Sequence, residues 1–297
     1  MSNIMVAELA AELDCDLGEG PFWDDIDQVL YFVDITNKQV KAFTPIDSGI
    51  RTIQFNQEVS AVILDKESEL IVAARDGVFT ASHDGVLIDL LAPIELDDTS
   101  IRTNDAKCDS TGRMWVGTMA FDFTPEVAAL FSFDSRNLRK VLPGLTISNG
   151  MGWSGDQRRM YFIDSPTARV DVFDFDIKKG ELSNGKPFVT FDAPSGVPDG
   201  LTTDEEGGVW VALFGGGEVR RFDPSGELTD IVTLPVSQVT SCCFGGKDMS
   251  ELFITTAQYA MDSNALAREP LAGSLFKVKT RFKGSQSNRY GGKKNER

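Results

Sequence analysis

Val197-Pro198-Asp199-Gly200-Leu201 is followed, after the turn Asp204-Glu205-Glu206-Gly207, by Gly208-Val209-Trp210-Val211-Ala212-Leu213. The order is a polar head, a short half-apolar segment, an acidic turn ending in glycine, then a β-branched and aromatic run. Side chains of a strand alternate faces, and Asp/Gly clusters close hairpins. The stretch therefore predicts two antiparallel strands.

The same order returns five more times. Its apolar runs begin at Leu30, Leu70, Met114, Met160, Val209 and Leu252, spaced by 40, 44, 46, 49 and 43 residues. Repeats of about 40–45 residues, each supplying several strands, are the signature of propeller blades. A further strand is predicted after each run, at 39–44, 77–82, 130–134, 170–176, 218–223 and 274–279. Fourth, outer strands are visible in places, as at 187–191 and 230–234. Radial repetition of four-stranded antiparallel units is one way to protect sheet edges. The expected fold is all-β, a six-bladed β-propeller forming one domain over 1–280. The sixth blade lacks an outer strand of its own, and Val6-Ala7-Glu8-Leu9 is expected to close the ring from the N-terminus. Residues 281–297 hold six basic residues and no apolar pattern, so a flexible basic tail is expected there.

Composition limits the function. Of 297 residues, 45 are acidic and 29 basic, a net charge of −16. Such a surface repels phosphate backbones, so nucleic acid is not an expected partner. No apolar run reaches the roughly 20 residues of a membrane helix. Residues 1–14 show neither a basic nor an apolar leader segment, which points to a cytoplasmic chain. Cys15, Cys108, Cys242 and Cys243 match neither a disulfide framework nor a metal motif, and are expected reduced and buried. The single histidine, His83, sits in a turn-like segment. A general base is therefore expected to be a carboxylate.

Counting back from each run locates the heads of the preceding strands: Glu19, Ser60, Asn104, Asn149, Asp199 and Ser241. On innermost strands these positions form one ring around the channel. Glu19, Asn104, Asn149 and Asp199 give it two carboxylates and two amides, oxygen donors suited to a hard divalent cation. Capping of strand ends is the structural alternative for each residue taken singly. Arg102 shares a strand face with Asn104 and would offer donors to an oxygen-rich ligand; an ion pair with Asp97 or Asp98 is the competing assignment.

The motifs Leu17-Gly18-Glu19-Gly20-Pro21, Arg102-Thr103-Asn104-Asp105-Ala106-Lys107, Ile147-Ser148-Asn149-Gly150 and Pro198-Asp199-Gly200 occur in order along the chain. So do Gly112-Arg113-Met114-Trp115-Val116-Gly117-Thr118-Met119 and Thr240-Ser241-Cys242-Cys243-Phe244-Gly245-Gly246. Together they resemble the SMP-30/gluconolactonase, regucalcin-like family. The resemblance implies a six-bladed propeller that holds one divalent cation (Ca, Zn, Mn or Mg) at the channel mouth and hydrolyses aldonolactones. It assigns Glu19, Asn149 and Asp199 as metal ligands, Asp199 also as catalytic base, and Arg102 and Asn104 as substrate-binding residues. One position departs. Where regucalcin-like members carry a substrate-contacting glutamate, this chain has Phe121, followed by Asp122, which is the candidate replacement.

The expected function is thus a metal-dependent sugar lactonase acting on a small-molecule lactone. Two alternatives stand beside it: a non-enzymatic calcium-binding or ligand-sensing propeller, and a lactonase or esterase with a non-sugar substrate, which Phe121 leaves open.

Overall fold

The structure is a computed structural model that describes residues 2–94, 100–134 and 137–292. Six antiparallel sheets follow one another along the chain. The innermost strands are Gly18–Asp24, Val59–Leu64, Ile101–Cys108, Ser148–Trp153, Val197–Thr203 and Val239–Gly245. Each touches the next, and the sixth touches the first, so the ring closes into a six-bladed propeller. The second strands, at Val29–Asp34, Leu70–Ala74, Met114–Ala120, Arg159–Asp164, Val209–Phe214 and Glu251–Thr256, fall where the repeat placed them.

Closure from the N-terminus is real but divided. Glu8–Ala11 pairs antiparallel with Leu275–Lys279 and completes blade six. Asn3–Val6 instead lies parallel to Leu228–Thr233, as a fifth strand of blade five. Two neighbouring blades are thereby tied to one terminus.

The acidic turns lock strands together as well as reversing the chain. In Asp204-Glu205-Glu206-Gly207-Gly208, Asp204 Oδ1 accepts from the backbone N–H of Glu206 at 3.0 Å and of Gly208 at 2.8 Å. Its other oxygen accepts from Trp210 Nε1 at 2.8 Å and Arg221 Nε at 2.6 Å. Asp109 repeats the arrangement with Thr111, Trp115 and Arg113. A buried carboxylate with all of these partners leaves little of its charge unpaid in hydrogen bonds.

The core lies between blades. Trp23 stacks on Phe253 at 5.4 Å, Trp115 packs on Trp153 at 6.0 Å, and Trp210 meets Phe244 and Phe282 edge-on at 5.7 Å. All four cysteines are free and buried. His83 is exposed, 3.0 Å from Arg51.

The tail expected to be free is packed as far as residue 292. Phe282 and Tyr290 are buried, and Tyr290 stacks on Phe133 at 6.0 Å. Between them the segment crosses the channel end formed by the acidic turns. Gln286 donates to Asp25 at 2.8 Å, Asn288 to the Cys108 carbonyl at 3.0 Å, and Arg289 ion-pairs with Asp24. Two aromatic anchors spaced along a polar segment leave no periodic pattern, which is why composition alone suggested a loose end.

Candidate active site

At the opposite end of the channel the strand heads line a cavity of about 450 Å³. Every innermost strand carries an irregularity at its head. The regular ladder breaks between Glu19 and Phe22, Val59 and Ala61, Thr103 and Ala106, Ser148 and Met151, Pro198 and Leu201, and Val239 and Ser241. Each break places one more residue on the inner strand than on its partner. A β-bulge of this kind re-aims side chains, and here it does so around one axis.

Close approach is needed as well. A Cβ on Gly150 would lie 2.5 Å from the Asp199 carbonyl oxygen, and one on Gly200 would lie 2.1 Å from Ser241 Oγ. Glycine at both positions lets neighbouring heads converge.

Glu19, Arg102, Asn104, Asn149 and Asp199 all line this cavity. Ser60 and Ser241 do not. Ser60 Oγ is engaged by Thr103 Oγ1 at 2.7 Å, and Ser241 lines a second cavity lower in the channel. Asn149 Nδ2 donates to Asp199 Oδ1 and, at 3.1 Å, to Ser165 Oγ; Ser165 Oγ in turn donates to the Pro198 carbonyl at 2.8 Å. Ser165 was not legible as a site residue, because it belongs to the turn after a second strand.

Arg102 is 8% exposed and forms no ion pair with any described residue. Its Nη1 donates to the Thr103 carbonyl at 2.8 Å and to Asn104 Oδ1 at 3.0 Å. Burial pulls its pKa down to about 10. Asn104 Nδ2 donates to the Ser148 carbonyl at 3.0 Å, so both ends of its amide are engaged. The proposed alternative partners of Arg102, Asp97 and Asp98, lie outside the described residues.

Asp122 is not brought to the site. It is exposed, and its Oδ1 accepts from the Thr124 N–H at 3.0 Å and Thr124 Oγ1 at 2.7 Å, bonds that hold its pKa below the ordinary value. It caps a turn. Phe121 takes the place in the cavity wall, with the guanidinium carbons of Arg75 and Arg102 at 5.2 and 5.9 Å from its ring centre.

The site is electrostatically loaded. Glu19 and Asp199 are 7% and 8% exposed, and Asp105 is also buried. Burial raises all three carboxyls above their usual range, and repulsion adds to it: Asp199 and Asp105 act on Glu19, and Asp105 acts on Asp199. Lys107 is the near cation, but its Nζ donates to the Leu201 carbonyl. Among the described residues no Lys, Arg or His lies within ion-pair distance of these carboxylates. No described group of three His, Cys, Asp or Glu side chains has metal-binding geometry. The donor set is two carboxylates and an amide, which is nonetheless what a hard cation takes. Asn149 would turn its amide by half a rotation to present oxygen instead of nitrogen.

The family model described as SMP-30/Gluconolactonase/LRE-like region matches residues 17–258. Regucalcin of Danio rerio is 38% identical over 283 residues, covering 94% of this chain and 95% of that protein. A Bacillus subtilis (strain 168) protein provisionally named sugar lactone lactonase YvrE is 36% identical over 285 residues, covering 95% of this chain and 97% of its own. Among solved structures, a calcium-binding protein, regucalcin, from Agrobacterium tumefaciens superposes with a TM-score of 0.93 at 25% identity, covering 98% of this chain and 100% of that one.

Proposed function

The chain belongs to the SMP-30/gluconolactonase/LRE-like family, and from that premise we propose that it is a metal-dependent lactonase. One observation carries the reading. Glu19, Asn149 and Asp199 line the same buried cavity as Arg102, with two of the carboxylates lacking any ion-pair partner among the described residues. A divalent cation held by Glu19, Asn149 and Asp199 would supply Lewis acidity toward a lactone carbonyl.

The protein's own groups account for the proton traffic. Asp199 accepts a proton from water as the water oxygen bonds to the carbonyl carbon. It returns that proton to the ring oxygen as the ring C–O bond breaks, and a hydroxy acid leaves. A carboxylate placed within reach of the attacking water can take its proton and later return it. Arg102 holds a substrate oxygen with donors that the protein does not use, and Asn104 keeps Arg102 in place.

The test is a panel of lactones assayed with chelated and cation-restored protein. Turnover that returns with the cation supports the reading. Tight cation binding with no turnover on any lactone or ester would favour a calcium-binding propeller, the second reading, which the calcium-binding Agrobacterium relative motivates. A cavity of about 450 Å³ above the carboxylates is room for a ligand as well as an ion.

Linkage predicts how the cation affects stability. A carboxyl whose folded pKa is raised favours folding below its unfolded value near ~4, and that contribution is lost as pH rises toward the folded value. Cation-free protein should therefore lose stability above that pH, while a cation removes the cause. The rise in melting temperature on adding excess calcium to chelated protein should be larger at pH 8 than at pH 5. A rise that shrinks with pH would exclude Glu19 and Asp199 as ligands.

With Asp122 at a turn, Asp122→Asn is expected to change kcat/KM by less than about twofold for every lactone, as for an exposed site away from special features. A change in preference among lactones would return Asp122 to the site.

A further inference from the structure

Resting on the lactonase reading, we propose that the substrate is a lactone bearing an apolar substituent, an alkyl chain or an aryl group, rather than a polyhydroxylated sugar lactone. The cavity is divided. Its polar floor is Glu19, Arg102, Asn104, Asn149 and Asp199, enough to hold one lactone group. Above the floor, Met119, Ile147 and Phe214 form walls. Phe121, Phe123, Val197 and Tyr259 form a rim, 41%, 48%, 43% and 36% exposed.

Each face of this rim comes from a different part of the ring. Phe121 and Phe123 follow the second strand of blade three, Val197 opens the inner strand of blade five, and Tyr259 follows the second strand of blade six. Three apolar side chains and a tyrosine ring left open to solvent around one mouth are more than scattered exposure.

A sugar ring would bring a hydroxyl on nearly every carbon. Against methyl and phenyl walls those hydroxyls would give up water without gaining partners. The remaining polar groups of the described lining are few: Thr36, Glu58, Ser165 and the Tyr259 hydroxyl, and Ser165 Oγ already donates to Pro198. Phe121 decides the matter on one side. A carboxylate there would accept from sugar hydroxyls, whereas the phenyl ring lies against the Arg75 and Arg102 guanidinium groups and offers none of that. An alkyl chain reverses the balance, because each buried methylene is worth about fourfold in affinity. A chain that seats four methylenes gains on the order of 10²-fold.

The experiment compares δ-decalactone with glucono-δ-lactone, using cation-loaded protein and subtracting spontaneous hydrolysis. In parallel, the non-hydrolysable lactam analogues of both are titrated calorimetrically. The expected result is a kcat/KM at least about 10²-fold higher for δ-decalactone, with the alkyl lactam binding tighter by a similar factor. Phe121→Glu, and separately Val197→Asn two blades away on the same rim, should each cut that preference about tenfold or more. Equal or better hydrolysis of the sugar lactone, with no tighter binding of the alkyl lactam, overturns the proposal and leaves the lactonase reading intact. Hydrolysis of neither lactone, with tight binding of the alkyl lactam that both rim variants weaken, overturns the lactonase reading and sustains the apolar ligand.

Discussion

Asp199→Asn is expected to lower turnover by roughly 10²-fold or more and to stay low when the cation is saturating. The substitution keeps an oxygen that can face a cation but removes both a charge and the proposed base. If Asp199 were only a ligand, weaker cation binding would be overcome by mass action and excess cation would restore the rate. Glu19→Gln is the matched comparison. It removes the same charge from the same cavity and leaves the base in place, so excess cation should recover much more of its activity. Folding can be checked independently. Asp199 and Glu19 are both raised by burial and repulsion, so neutralising either should stabilise the chelated protein at pH 8 rather than unfold it. Near-complete rescue of Asp199→Asn at saturating cation would refute the base assignment while leaving the ligand assignment open.

Ending the chain at residue 283 should lower the melting temperature by about 10 °C or more, with kcat/KM of the folded protein within about twofold. The segment removed holds Tyr290, which is 1% exposed against Phe133, and Arg289, which pairs with the fully buried Asp24. Losing a buried aromatic side chain costs about 3–5 kcal/mol. Stranding a buried carboxylate costs a further few kcal/mol, although Asp24 Oδ1 retains the Ile26 N–H at 3.0 Å. Activity should survive because the segment crosses the channel end away from Asp199. A single substitution separates packing from polarity here. Tyr290 Oη is buried without a hydrogen-bond partner among the described residues, so Tyr290→Phe should be neutral or stabilising, and Tyr290→Ala should reproduce much of the truncation. A truncated protein with an unchanged melting temperature would mean that the packing of 284–292 contributes nothing.

The repeat was legible because it is local. A strand reveals itself through alternation and β-branched residues within a few positions, and the turn carboxylates through short loops. Six copies of that pattern in one chain determined the blade number, the second and third strands of each blade to within a residue or two, and the heads Glu19, Asn104, Asn149 and Asp199 that the cavity gathers. Family motifs added the cation and the lactone as expectations, and they pointed to Phe121 as the departure.

Other features depend on residues far apart in the chain, and only the tertiary structure decided them. Period two puts Asp105 on the face opposite Asn104, yet the bulge between Thr103 and Ala106 lets it act on both Glu19 and Asp199. Asp122 was the obvious carboxylate beside Phe121, but the Thr124 hydroxyl and N–H claim it for a turn. Val197, Phe214 and Tyr259 share no motif and meet Phe121 only because ring closure sets three blades around one mouth. Alternation within a strand records which residues face inward. Which inward residues meet depends on bulges, on glycine contacts such as Gly150 against Asp199, and on how the ring closes, and those are set by packing between segments tens to hundreds of residues apart.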